Sequence, residues 1–205
     1  MNGKSSPLPL GYSMLPKGQI ATTVTYLEMT QRPPAKDSTR SHAEFELRLL
    51  GAAELDVYRA LFRGVGENWL WCSRLAMPDK DLRAILADRL VEAYALNHQG
   101  QAAGLLELDF RKEGECELAF FGLVGEMIGH GAGRYLMNQA IAMAWAKPIR
   151  RIFVHTCSFD HPSALDFYRR SGFRPYALAV EVLEDPRLNG HLPRSAAPHV
   201  PIIEA

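Results

Sequence analysis

Hydrophobic and polar positions alternate differently in successive stretches of this chain. IATTVTYLEMT (20–30) is rich in β-branched residues and predicts a strand, and QRPPAKDSTRS (31–41) predicts a polar loop. FELRLLG (45–51) alternates as a half-buried strand. AELDVYRALFRGVG (53–66) has helical spacing through Leu55, Tyr58, Ala60 and Leu61. A Trp-rich patch, ENWLWCSRLAMP (67–78), leads into a short predicted helix, DKDLRAILADR (79–89). VEAYALN and QAAGLLELDF flank His98-Gln99-Gly100 and predict a hairpin. The tail PRLNGHLPRSAAPHVPIIEA is Pro-rich and is expected to lie extended over the surface.

The middle of the chain is more specific. A strand over 116–124, a glycine turn, a helix over about 132–146 and RIFVHTC (151–157) form a strand–helix–strand unit. Leu136, Met137, Ala140, Ile141, Ala144 and Trp145 recur at helical spacing and give that helix one apolar face. Such a unit joins parallel strands by a right-handed crossover. A second helix follows, with Pro162 suited to its start and Gly172 to its stop, before a last long strand, FRPYALAVEVLED (173–185).

Composition narrows the function classes. The 205 residues suffice for one domain with a real core, and 23 basic side chains balance 23 acidic ones. That balance argues against nucleic acid and favours a small or locally charged ligand. Cys72, Cys116 and Cys157 form neither a CxxC pair nor a disulfide framework. No signal peptide or membrane-length apolar run is present, so a soluble, cytoplasmic protein without a membrane partner is expected. HTCSFDH (155–161) meets no zinc spacing, and no metal site is expected.

GHGAGRYLMNQAI (129–141) carries the chemistry. A dinucleotide-binding GxGxxG fails because Gly131 leads to Leu136, and Gly129 to Arg134, at the third glycine position. A P-loop fails because Arg134-Tyr135, not Lys-Ser/Thr, follows Gly133. What remains is a strand, a loop and a helix start that offer backbone N–H groups to a diphosphate, with Arg134 as an optional cation.

EMIGHGAGRYLMNQAI resembles the pyrophosphate-binding motif of the GNAT acyltransferase superfamily, Q/R-x-x-G-x-G/A, with Gly131 and Gly133 at the two small positions. SALDFYRRSGFRPY (163–176) resembles the superfamily's later segment, A-x-x-x-Y-x-x-x-G-F, through Ala164, Tyr168, Gly172 and Phe173. The Q/R position is Ile128, and His130 or Arg134 is expected to compensate; His161 stands where an Asn is frequent. Gly129 is read as incidental. The resemblance covers about residues 44–185 and implies an α/β (α+β) fold: a mixed, mostly antiparallel, splayed sheet flanked by helices. Residues 1–43 would add an extra strand, and 186–205 a Pro-rich tail packed on the domain.

The resemblance also implies acetyl-CoA as co-substrate and an amine acceptor, and leaves a homodimer open. Leu123, Val124, His130, Gly131, Ala132, Gly133, Arg134 and His161 are the residues expected at the cofactor, an N–H at Leu123 or Val124 serving as oxyanion donor. Glu117 is the expected base, sharing by period two a face with Glu115, Ala119 and Phe121; Glu107 is the rival base or an ammonium ligand. Tyr168 is the expected acid toward a departing thiolate. Trp69 and Trp71 are expected to wall the acceptor. His155, Cys157, Asp160 and His161 are placed along the acceptor cleft or the CoA edge, and His42, His98, His191 and His199 on the surface. The function implied is N-acetyl transfer to a small amine by direct attack in a ternary complex. A protein acetyltransferase and a non-catalytic acyl-CoA sensor are the competing readings.

Overall fold

The computed structural model describes residues 8–34 and 44–204, so His42 lies outside the described residues. Strands are β1 (Gln19–Met29), β2 (Phe45–Leu50), β3 (Val91–His98), β4 (Gln101–Asp109), β5 (Glu115–Leu123), β6 (Arg151–Cys157) and β7 (Arg174–Glu184). Helices are α1 (Leu55–Gly66), α2 (Ser73–Ala76), α3 (Asp79–Ala87), α4 (Ala132–Ala144) and α5 (Ala164–Arg170). The sheet runs β2-β3-β4-β5-β6-β1-β7, antiparallel throughout except for the β5–β6 pair. The N-terminal strand is no ornament at an edge. It sits between β6 and β7 and pairs with both.

Helices cover both faces. Leu136, Met137, Ala140 and Ala144 of α4 are fully or almost fully buried against Leu106, Leu108, Leu118 and Val154. Leu136 and Met137 each contribute about 1.5–3 kcal/mol by leaving water, and the alanine methyls about 0.8 kcal/mol each. Pro148 follows closely on α4 and cannot extend it. On the other face α1 and α3 bury Tyr58, Phe62, Leu82 and Leu86 against Ala93, Ala95 and Leu105. Ala60, counted into the helical pattern of α1, is exposed instead.

Two irregularities open the sheet. Glu107 pairs with Phe120 and Leu108 with Leu118, so Ala119 is an unpaired bulge residue in β5. The bulge reverses the alternation beyond it: Leu118 and Phe121 pack in the α4 core, while Phe120 packs with α1. The period-two expectation that joined Glu117 to Phe121 therefore fails, because one inserted residue shifts the phase. The second irregularity is that β5 and β6 pair over three positions alone, Glu115–Glu117 with Arg151–Phe153, and then diverge.

The C-terminal tail also departs from expectation. It does not lie extended but turns around Arg187, whose guanidinium is bidentate on Asp185 at 2.9 and 2.7 Å. Its Nη1 also donates to the carbonyls of Ala196, Ala197 and Val200. Arg187 and Asp185 are buried, and the guanidinium holds the Asp185 carboxyl below its ordinary range. Around this anchor Leu192, Ala196, Ala197 and Val200 close a third small core with Ile20 and Leu70. Composition showed prolines but not which charge they would wrap.

Candidate active site

Where β5 and β6 part, a cavity of about 270 Å³ opens. Its floor is the free edge of β5, Leu118–Leu123. The Val124 N–H donates to the Ala103 carbonyl at 3.0 Å and is committed to the sheet. Antiparallel bonding alternates, so Gly122 and Phe120 also point to β4, which turns the N–H groups of Leu123 and Phe121 into the gap. Of the two expected oxyanion donors, Leu123 stays available and Val124 does not.

The glycine turn follows directly. Gly129 and Gly131 both have positive φ, 92° and 86°, a region that L side chains rarely adopt. Gly129 is therefore structural rather than incidental. Gly131 caps α4, and the first helical bond runs from the Tyr135 N–H to the Gly131 carbonyl. That leaves the N–H groups of Ala132, Gly133 and Arg134 without helical partners, and among the described residues no side chain caps them. A Cβ built on Gly131 meets nothing within 4 Å, so the space before the helix is open. These groups and the helix dipole fit a diphosphate. Ala132 is buried, His130 and Arg134 are exposed beside the opening, and Ile128 lines the cavity.

Tyr168 of α5 reaches the cavity from the α4 side, 7% exposed and packed edge-on to Phe121 and Phe173. Among the described residues its hydroxyl has no hydrogen-bond partner. Burial, aided by the Asp160 charge, pushes the phenol well above its ordinary pKa of 10, so it stays protonated at neutral pH.

Glu117 stands at the last paired position, at the apex of the divergence. It does not itself line the cavity; His155 does, with its Nδ1 3.6 Å from Glu117 Oε1. The Glu117 carboxylate raises the His155 pKa above 6.5 against the opposing effect of burial, with Asp160 and Glu181 adding to it. Glu107 is placed elsewhere. It is fully buried, accepts from Tyr58 Oη and pairs with Arg74 Nη2 at 2.5 Å, outside the cavity wall. That network ties α1 and α2 to β4 rather than facing an acceptor.

The remaining wall comes from the chain after α1. Trp71 folds back onto Gly66, where a Cβ would stand 2.4 Å from the Trp71 Cβ, so only glycine admits this approach. Trp71 packs on Phe62 and Phe120 and donates from Nε1 to Asp160 Oδ1 at 3.0 Å. The other Asp160 oxygen accepts from Thr156 Oγ1 and the Cys157 N–H, at 2.7 and 2.9 Å. Trp69 meets His161 edge-on at 5.3 Å and the tail's His199 at 5.8 Å. The His161 Nδ1 accepts from the Ser163 N–H at 3.2 Å, at the start of α5. Glu181 and Leu183 of β7 complete the wall.

Burial raises the thiol pKa values of Cys72 and Cys157, so neither cavity cysteine is a ready thiolate. Among the described residues no group of three His, Cys, Asp or Glu side chains could hold a metal ion. No described helix is long and apolar enough to cross a membrane.

Reading along the chain missed the His155–Glu117 contact, the Trp71–Asp160 bond and Glu181. The first had a faint signal, since Glu117 and His155 lie on strands joined by one crossover. The others join segments far apart in sequence.

The profile of the acetyltransferase (GNAT) family matches residues 56–173, more than half of the chain, and the chain belongs to that family. Solved structures agree in fold. A conserved protein of unknown function from Staphylococcus epidermidis superposes with a TM-score of 0.55 at 14% identity, over 82% of this chain and 63% of that one. A GCN5-related N-acetyltransferase from Sphaerobacter thermophilus gives 0.59 at 14%, over 80% and 52%. An aminoglycoside acetyltransferase from an uncultured soil metagenomic sample gives 0.53 at 18%, over 64% and 89%. This chain thus spans less than two thirds of the first two proteins. No curated protein matches the sequence significantly.

Proposed function

We propose that this protein is an N-acetyltransferase that moves an acetyl group from acetyl-CoA to a primary amine of a small molecule. The observation that carries the reading is the aromatic wall: Trp69, with the tail's His199 packed against it, and Trp71, held by Asp160, line a cavity of about 270 Å³. A protein-directed enzyme needs an open groove. A small cationic acceptor fits an aromatic wall with Glu181 at its side.

Bound acetyl-CoA supplies an activated acetyl group on a thioester. The N–H groups of Ala132, Gly133 and Arg134 would hold its diphosphate, and the free edge of β5 would align the pantetheine as an added strand. Holding both substrates in one cavity removes much of the entropic barrier. The acceptor's ammonium gives its proton to the Glu117–His155 pair, and the amine nitrogen then attacks the carbonyl carbon. The Leu123 N–H stabilises charge on the carbonyl oxygen as the carbon–sulfur bond breaks. Tyr168 gives its proton to the departing sulfur and is restored by the second proton that the nitrogen releases as the amide forms. Its raised pKa does not bar this, because a thiolate formed in the same dry cavity is made more basic too.

A screen of small amines for acetyl-CoA-dependent thiol release tests the reading. Turnover of at least one amine, with none of lysine-bearing peptides, is expected. Peptide turnover alone would overturn the small-amine reading, and tight acetyl-CoA binding with no turnover would indicate a sensor.

A further inference from the structure

We propose that β7 and the N-terminal arm form a two-fold interface with a second copy of this chain. Among the described residues, nothing covers two neighbouring apolar surfaces. In the arm LPLGYSMLPK (8–17), Leu10, Tyr12 and Met14 are 105, 102 and 91% exposed. On β7, Leu178, Val180 and Val182 share one face and are 72, 46 and 49% exposed. Contiguous apolar surface of this kind marks an interface.

Among the described residues β7 is also the sheet's edge, eleven residues long and paired with β1 alone. Edge strands are normally blunted by charge, proline or a bulge. Here Pro175 and the bulge at Tyr176 blunt the start, while Ala177–Val180 carries neither charge nor proline. The Asp185 N–H donates to the Gly18 carbonyl at 2.9 Å. Alternation then commits Leu183, Glu181 and Ala179 to β1 and turns the backbone groups of Leu178, Val180 and Val182 outward, where no described residue pairs with them.

The occupant follows from self-complementarity. An antiparallel pairing about Ala179 sets even positions against even positions, so the outward groups of Leu178 meet those of Val180 in the second copy. The same register brings Arg174, which has no acidic partner among the described residues, to Glu184 of the second copy. Opposite charges at the strand's two ends favour this antiparallel mate. The arm leaves Gln19, which lies opposite Glu184, and so starts beside the second copy's Arg174 end. Ten extended residues reach roughly 33 Å, enough to cross the neighbouring sheet. From its other face β7 supplies Glu181 and Leu183 to the cavity, so pairing would steady that wall.

Light scattering behind size exclusion tests this on the full chain at micromolar concentrations. Wild type is expected at twice the 22.9 kDa chain mass, and Leu178→Lys/Val180→Lys at the single mass with an unchanged circular dichroism spectrum. Ala179→Cys is expected to form a disulfide-linked dimer on oxidation, which wild type does not. A wild type at the single mass overturns the proposal, as does a lysine variant that stays paired. Should the lysine variant misfold, failure of Ala179→Cys to cross-link overturns it.

Discussion

The β5 wall, which runs on through the glycine turn into α4, and the Trp69–Trp71 wall face each other across one cavity but are held in different ways. The first is local: bulge, free strand edge, glycine turn and helix start all fall within residues 117–134. Its groups are backbone N–H donors fixed by regular structure. The second draws on α1, β6, β7 and the tail, joined by the Trp71–Asp160 bond and the Trp69–His199 contact. A wall made of main chain suits a ligand whose diphosphate never changes. A wall made of side chains from distant segments can be remodelled for each acceptor.

Breaking the tail anchor should separate the two walls most strongly. Arg187→Ala leaves Asp185 buried and unpaired, which costs about 3–5 kcal/mol in comparable sites. Urea unfolding should show that loss, and acceptor turnover should fall while CoA affinity holds. Equal loss of both would mean the walls are one unit. Tyr168→Phe should lower kcat by roughly 10²–10⁴, the usual weight of a positioned acid, with KM for acetyl-CoA unchanged in steady-state kinetics.

A smaller effect concerns pH. Because Glu117 raises the His155 pKa, the charged pair persists to higher pH than an ordinary histidine would allow. Its stabilisation is complete below about pH 6.5 and is lost as pH rises through the raised value. Proton acceptance follows the opposite course, so kcat/KM should rise through an inflection above 6.5. In His155→Gln that inflection should vanish from the pH–rate profile. The mildest change is Gly133→Ala. Its Cβ would lie 3.6 Å from Leu123 Cδ1, an ordinary contact, so helix propensity should add about 0.5–1 kcal/mol of stability in thermal melts. CoA binding should be retained.

How much could be read from the sequence follows the same division. β6 was legible to the residue and α4 nearly so, because their hydrophobic periods are uninterrupted. The Gly131–Gly133 turn was legible because spacing excluded the nucleotide motifs. The phase of β5 was not, since a bulge is a pairing event and Ala119 carries no mark of it. Glu107 illustrates the converse. A carboxylate in an apolar strand suggested chemistry, yet its partners Arg74 and Tyr58 come from helices 30 or more residues earlier and lock it into the core. Arg187 was hidden for a different reason: its partners, Asp185 and the carbonyls of Ala196, Ala197 and Val200, are near in sequence but meet only through an irregular turn that has no hydrophobic period.

The claim that residues 118–134 form a CoA cradle is tested most directly by calorimetric titration of CoA into wild type and Gly131→Val. A valine at φ 86° must strain or rearrange the turn, and its side chain would enter the open space before α4. Affinity is predicted to fall about 100-fold, or nearly 3 kcal/mol, in a protein that still melts cooperatively. Unchanged CoA affinity in that variant would contradict the assignment.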